Sequence, residues 1–597
     1  MSSTGGGSSV TFVTAYMNIY PNNRLGSRDM MWRFEQFTKI AQTGIQLCVY
    51  VDESSRELLD QFISVYPNVR RMKVFKNIED TWVYRQWRPY RNMHVGNPTH
   101  GLPRHRNVQK DTLEYMILMH TKMECILDAI QANPWKSTHF AWIDFNVAHV
   151  FKDTPACQSQ LRAISSNRWK RQFLAIPGCW PAMESPFTPS AVSSIVNQIH
   201  WRFCGGFFLG DLTSMTQFCR LYYAHFPKFL AEFNRITWEV NFWSWMEGKI
   251  PEWKPQWYAA DHNDTILHVP PEWWSMCLSE DVGSYTSVTW DPPSLGDDFH
   301  ATSASITPGR WGDTEGNSGY WVNTRYVNYV LADNGGYIFP DDSQVIVTRN
   351  ICSRLDSAMV AQEHFEMSDP AELTSFTCNY RGVEDIRIWV DSDNLLYFVG
   401  TSVNYSPAGK GRILKGRYDV ATRSLADTVV VDPPTDTACE KNWMPLVPGN
   451  RILYRCSDMS IGHLELGGGT GKGQLVIDST QEVKMPWLDR LRGSTYFRES
   501  LAYPGAWVGV VHFSVNEWPR NYFHMLILLD GETMRPVRRS QPFTFFRPAN
   551  IEFCIGMIET RGTGGAPGVY HFWVSQYDRD PMHVSMNVTD LPLVPMV

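Results

Sequence analysis

Short apolar runs alternate with segments of helical period over about the first 270 residues, and that alternation predicts α/β architecture. Val10–Ile19, Gln46–Asp52, Val69–Phe75, Phe140–Val147, Phe173–Ile176 and Phe203–Gly210 read as strands. Between them Ser27 is placed to cap a helix with Asp29 in its first turn, and Glu57–Val65 continues the helical pattern. The strongest period lies in Asn107–Ile130, where Leu113, Met116, Ile117, Met123, Ile126, Leu127 and Ile130 share one face. Its polar positions Lys110, Asp111, Glu114 and Lys122 then look to solvent or into a cleft. Helices within Leu212–Phe233 and Thr237–Gly248 follow.

From Trp273 to Arg325 the chain turns to Pro, Gly, Ser and Asp with little period, which reads as a linker or a packing segment between domains. Beyond it the pattern is short strands punctuated by turns: Ile386–Val390, Leu395–Val399, Gln474–Ile477, Trp507–Phe513, His524–Leu529 and Tyr570–Ser575. Regular strand groups over a stretch this long suit a propeller better than one sandwich. The expected organisation is a flexible start over 1–9, an α/β domain over 10–272, the linker over 273–325 and an all-β domain over 326–597.

Composition sharpens this in three ways. A net charge of -7 excludes a general electrostatic pull towards nucleic acid or anionic lipid. The 24 Trp, 25 Tyr and 31 Phe suit sugar-ring stacking, although large β-rich cores consume aromatics too. The 12 cysteines show no metal-binding spacing, so reduced, buried thiols are expected. With no signal-peptide pattern and no apolar run long enough to span a bilayer, the chain reads as intracellular, in a cytoplasm that is a host's if the source is viral.

One strand carries chemistry. Thr138–Val150 is fit to be an inner strand, yet it holds Asp144 and Asn146 at its end. In open α/β sheets ligands sit beyond the carboxyl ends of strands. Asp and Asn oxygens there suit Mn²⁺ or Mg²⁺ bridging phosphates, and a turn cap is the bland alternative.

The segments Phe12–Ile19, Lys110–Glu124, Trp142–Asn146 and Cys204–Asp211, in that order, resemble the HtrL/YibB-like glycosyltransferases. The resemblance implies a GT-A-like Rossmannoid domain that uses a divalent metal and a UDP- or GDP-sugar, with a carbohydrate acceptor. It implies Asp144, Asn146 and His262 around the metal, Asn146 standing where the family has Gly. It also implies Thr14, Ala15, Asp111, Lys122, Gly205 and Gly206 around the donor. Glu239 or Asp211 is then the base that takes the acceptor proton if the reaction inverts. Each has a plain alternative: turn residues, solvated helix charges, tight strand packing or a loop histidine.

A second set, Val383–Ile388, Glu440–Pro445, Arg492–Thr495, Val510–Phe513, Tyr522–His524, Ile551–Gly556 and Val574–Asp578, looks like the five-bladed β-propeller of arabinanase-type hydrolases and β-mannoside phosphorylases. Asp385, Glu440 and Glu552 are the carboxylates this places in the central funnel. Glycoside cleavage needs two such groups, whereas phosphorolysis needs one plus cations, here Arg387, Lys441, Arg492, His512 and His524. The full expectation is an α/β plus all-β chain acting as a glycosyltransferase. A funnel glycosidase or phosphorylase, or a non-catalytic carbohydrate binder, stands as the alternative.

Overall fold

The computed structural model describes residues 10–20, 28–94, 100–167, 169, 172–182, 188–310, 318–332, 334–406, 408–467, 471–481, 490–515, 518–562 and 568–596. Ser27 and the expected flexible start lie outside them. The chain divides into two compact units, the first ending at Trp274 and the second running from Ser275 to Met596.

The first unit is built on strands β1 (Val10–Tyr16), β2 (Leu47–Asp52), β3 (Val69–Phe75), β4 (His139–Ile143), β5 (Leu174–Gly178), β6 (Phe207–Asp211) and β7 (Gln256–Ala259). They form one sheet in the order β3-β2-β1-β4-β6-β5-β7. The pairs β3–β2, β2–β1, β1–β4 and β5–β7 are parallel, while β6 runs antiparallel to both neighbours. All seven residues of β1 are buried because both sheet faces are covered. Its alternation splits them: Val13 and Ala15 join the core of Met116, Ile126 and Trp243, while Phe12 and Tyr16 join that of Phe34, Phe37 and Leu161. In β4, Phe140 and Trp142 face the first core, and Ala141 and Ile143 the second.

Asp29 itself caps Met30–Ala41, its carboxylate accepting the Trp32 N–H at 2.8 Å. The helix expected over 107–130 divides at Thr121 into Leu113–His120 and Lys122–Ala132. Thr112 caps the first piece, and the Thr121 hydroxyl bonds back to the Ile117 carbonyl at 2.8 Å.

The described residues of the second unit are mainly sheet, with the short helical turns Leu278–Asp281 and Val588–Asp590. Among the described residues, five antiparallel four-strand groups follow one another. The first is His300–Arg310, Ser318–Val327, Ile346–Leu355 and Ala361–Met367. The second is Glu384–Val390, Leu396–Ser402, Arg412–Asp419 and Ser424–Asp432. Met444–Val447 to Lys472–Ser479 makes the third, and Arg492–Glu499 to Pro536–Ser540 the fourth. The fifth holds Phe553–Thr560, Val569–Gln576 and Arg579–Asn587, and Thr286–Thr289, from ahead of the first group, supplies its outer strand. A ring closed by joining its two ends is a propeller-like arrangement. The stretch expected as linker thus holds strands: His300–Arg310 pairs with the neighbouring Ser318–Val327, while Met276–Cys277 and Thr286–Thr289 pair with partners far along the chain.

Candidate functional site

Among the described residues, two of the places that gather charged side chains hold expected site residues. In the first unit the place is the carboxyl end of β4, beside β1, where the sheet order reverses direction. Asp144 follows β4 and extends its ladder, donating its N–H to the Gly206 carbonyl at 2.9 Å. Strand alternation puts its side chain on the Trp142 face, and the indole N–H donates to Asp144 Oδ1 at 2.7 Å. Lys122, the first residue of its helix, reaches the same oxygen at 3.1 Å. The ammonium also donates to Glu239 Oε1 at 2.8 Å and to the Gly205 carbonyl at 2.7 Å, so all three of its hydrogens are used. Burial works against this charge, but Asp144 and Glu239 together outweigh it and hold the Lys122 pKa above the ordinary lysine value.

Gly205 has to be glycine: a Cβ there would stand 2.1 Å from Glu239 Oε1. Gly206 is tight too, with Ile266 at 3.3 Å from such an atom and Asp144 Oδ2 at 3.7 Å. Asp144 Oδ2 has no hydrogen-bond partner among the described residues, and the side chain is 28% exposed. His262 lies on the same side, its ring 5.5 Å from that of Trp201 and 6.4 Å from that of His149. Burial lowers its pKa, against the opposing pull of Asp144.

The donor set does not fit a resident divalent cation. Asp144 Oδ1 is committed to an ammonium and an indole N–H. Among the described residues no three His, Cys, Asp or Glu side chains are grouped to hold a metal. The Asn146 carbonyl serves His149 Nδ1 at 2.7 Å. Other expected residues are engaged locally or buried in the sheet. Asp211 caps Leu212–Phe233, taking the N–H groups of Thr213 and Ser214 on Oδ1 and of Phe173 on Oδ2. Asp111 Oδ2 accepts the Asn107 N–H at 3.0 Å. Thr14 and Ala15 are buried within β1, short of its carboxyl end.

In the second unit the charges meet at the amino ends of the inner strands. Glu384 opens the inner strand of the second group, and its side chain is 23% exposed. A bulge follows, with Asp385 in left-handed conformation at φ +52. The bulge turns Asp385 inward, where its carboxylate meets Arg325 Nη1 at 3.1 Å. Arg325 Nη2 lies 3.6 Å from Glu384. Asp578, at the turn between the last two strands of the fifth group, accepts the Tyr329 hydroxyl at 2.9 Å. Burial raises the Glu384 pKa above the ordinary carboxylate value; Arg325 and Lys441 oppose the rise, while Asp385 and Asp578 add to it. Lys441 is itself raised, since Asp385 and Glu384 outweigh the cost of its burial.

Glu552 and Glu440 are both buried, with their oxygens engaged. Glu552 is fully buried, its oxygens taken by the backbone N–H groups of Phe545 at 2.8 Å and Phe546 at 2.9 Å. His524 Nδ1 is 3.3 Å away but off hydrogen-bond geometry. Glu440 serves Thr437, Trp443 and Tyr454. Arg387 is buried between the Ser494 and Asp385 carbonyls, and His512 accepts or donates at Ser494 Oγ, 2.8 Å away. Sequence reasoning missed Glu384, Asp578 and Arg325, although the first two lie within the Val383–Ile388 and Val574–Asp578 segments. A cavity of about 1100 Å³ also opens in this unit, lined by Tyr320, Arg417, Arg498 and Glu559. It sits at the carboxyl ends of the inner strands, away from Glu384.

No protein-family model matches the chain, and no curated protein matches it. Neither comparison thus supports the resemblance of the first 270 residues, roughly, to HtrL/YibB-like enzymes. Among solved structures the chain is similar to a glycosyl hydrolase from Bacteroides ovatus, at 12% identity over 50% of this chain and 87% of that one, with a TM-score of 0.29. It is similar to the catalytic domain of a Coprinopsis cinerea GH62 α-L-arabinofuranosidase, at 6% identity over 51% and 97%, TM-score 0.29. The levansucrase of Bacillus subtilis matches at 8% identity over 55% and 94%, TM-score 0.29. No helix among the described residues is long and apolar enough to cross a membrane.

Proposed function

We propose that the second unit, read as a five-bladed propeller, binds carbohydrate and cleaves glycosidic bonds at the end that carries Glu384 and Asp578. The observation that carries this is Glu384, a carboxyl with its side chain 23% exposed, whose pKa burial and the charges of Asp385 and Asp578 raise. Glycoside cleavage asks for such a pair, one acid and one base or nucleophile. Glu384 gives its proton to the departing glycosidic oxygen. Asp578, oriented by the Tyr329 hydroxyl, takes the proton of the attacking water. Arg325 and Lys441 keep the neighbouring charge balanced, and Asp385 acts through Arg325. The test is release of reducing ends from soluble polysaccharides and aryl glycosides. Activity abolished in Glu384→Gln and retained in folded Glu552→Gln supports the reading; a folded wild-type chain inert on the whole panel opposes it.

A second reading, sugar transfer from a UDP- or GDP-sugar in the first unit, is favoured by one specific feature. Asp144 Oδ2 is aimed from the reversal point of the sheet by Lys122 and Trp142. In this reading Asp144 orients a sugar hydroxyl and no step runs through a cation. Nucleotide-sugar hydrolysis that survives chelator and is lost in Asp144→Ala supports it. Turnover that needs Mn²⁺, or that persists in the variant, removes it.

A further inference from the structure

A small hairpin, Val330–Leu331 with Tyr337–Ile338, stands at the Glu384 end of the second unit. Tyr337 is 49% exposed, and its ring meets that of Tyr329 edge-on at 4.7 Å. Burial of the phenol and the charges of Asp578 and Glu384 raise its pKa, while Lys441 opposes them, so it neighbours the proposed acid and base. Tyr380, 43% exposed, adds to the same end: its backbone pairs with Ile346, at the start of the third strand of the first group. The hairpin turn is Gly335, at φ +86, and a Cβ there would come within 3.0 Å of the Trp518 ring. Trp518, from the fourth group, is 38% exposed. Three partly exposed aromatic side chains thus belong to this hairpin and its surroundings, with Tyr337 near the Asp578 and Glu384 carboxylates.

We propose that Tyr337, Tyr380 and Trp518 form a stacking wall that seats several consecutive units of a saccharide chain beside Glu384, so that the site takes oligo- or polysaccharides rather than single sugars. Exposed aromatic surface rimmed by charge marks a binding site, and the flat C–H faces of pyranose rings match it. Each ring fixes one sugar unit, and the tyrosine hydroxyls leave the wall wettable when it is empty. The inference rests on the glycoside reading of the same mouth, but it is tested by binding alone.

The experiment uses the full chain carrying Glu384→Gln, which binds without turnover. Calorimetric titration compares xylohexaose, mannohexaose and arabinohexaose with the matching monosaccharides. At least one hexasaccharide is expected to bind ten or more times tighter than its monosaccharide. Adding Tyr337→Ala or Trp518→Ala is expected to weaken it about five- to tenfold, whereas Tyr337→Phe keeps it. Equal binding of chain and monomer, no hexasaccharide binding, or folded alanine variants with unchanged affinity overturns the wall. Should the binding pattern hold while wild type releases no reducing ends, the cleavage reading falls and the wall stands. Cleavage by wild type with binding unmoved by the alanine variants removes the wall and leaves the cleavage reading in place.

Discussion

Lys122→Met puts the buried hub of the first unit to the test. The Lys122 side chain is 1% exposed, and its three hydrogens go to acceptors at 2.7, 2.8 and 3.1 Å. Methionine fills most of the volume of the stem but leaves Glu239, whose side chain is 6% exposed, facing Asp144 without a counter-charge. Removing one partner of a buried pair costs about 3–5 kcal/mol, and the partial exposure of Asp144 argues for the lower end. With roughly 2–4 °C of Tm per kcal/mol in a unit of this size, the first-unit transition should fall by about 6–12 °C. Lys122 has its pKa raised from 10.5, so its contribution is complete below that value and is lost only as pH rises through the higher folded value. Calorimetric unfolding of both proteins should thus show a gap that is flat from about pH 6 to 10 and closes only above the ordinary lysine value of 10.5. Adding Glu239→Gln should recover part of the loss. A gap below about 1 kcal/mol, or no recovery in the double variant, refutes the hub.

Gly205→Ala forces a Cβ to 2.1 Å from Glu239 Oε1, so the first-unit transition should drop by about 1–3 kcal/mol in urea unfolding. Glu552→Gln turns one acceptor into a donor facing a backbone N–H; a stability loss of about 1–3 kcal/mol with unchanged kcat in the folded fraction is expected. On the cleavage reading the acid form of Glu384 is the active one; since its pKa is raised, glycoside turnover should fall as pH rises through a value above the ordinary glutamate 4.5. Because Lys441 opposes that rise, Lys441→Gln should move this alkaline limb to higher pH in a kcat profile.

The first unit was the more legible half. Val10–Tyr16 reads directly as a central strand because every residue in it is buried, and Leu212–Phe233 matches its helical pattern end to end. The break at Thr121 was hidden, since the apolar period runs through it unchanged. In the second unit, His300–Arg310 reads HATSASITPGR, with no alternation to betray a strand. The closing strand pairs residues about 300 positions apart, as in the Thr286–Ser585 hydroxyl contact, which local pattern cannot carry. The candidate sites are legible in part for related reasons. Asp144 is visible because an acid ends an apolar run, whereas the ion pairs of Lys122 with Asp144 and Glu239 join elements that only tertiary packing unites. The resemblance names Asp385 and not Glu384, and the bulge after Glu384, with Asp385 at φ +52, is not visible in the local pattern.

Leaving-group dependence probes the acid role of Glu384 most directly. Dinitrophenyl glycosides depart without protonation, whereas unactivated oligosaccharides need it. The account predicts that Glu384→Gln loses about 100-fold or more in kcat/KM on oligosaccharides while keeping most of its rate on the dinitrophenyl substrate. Equal losses on both substrates, or no loss on either, contradict it.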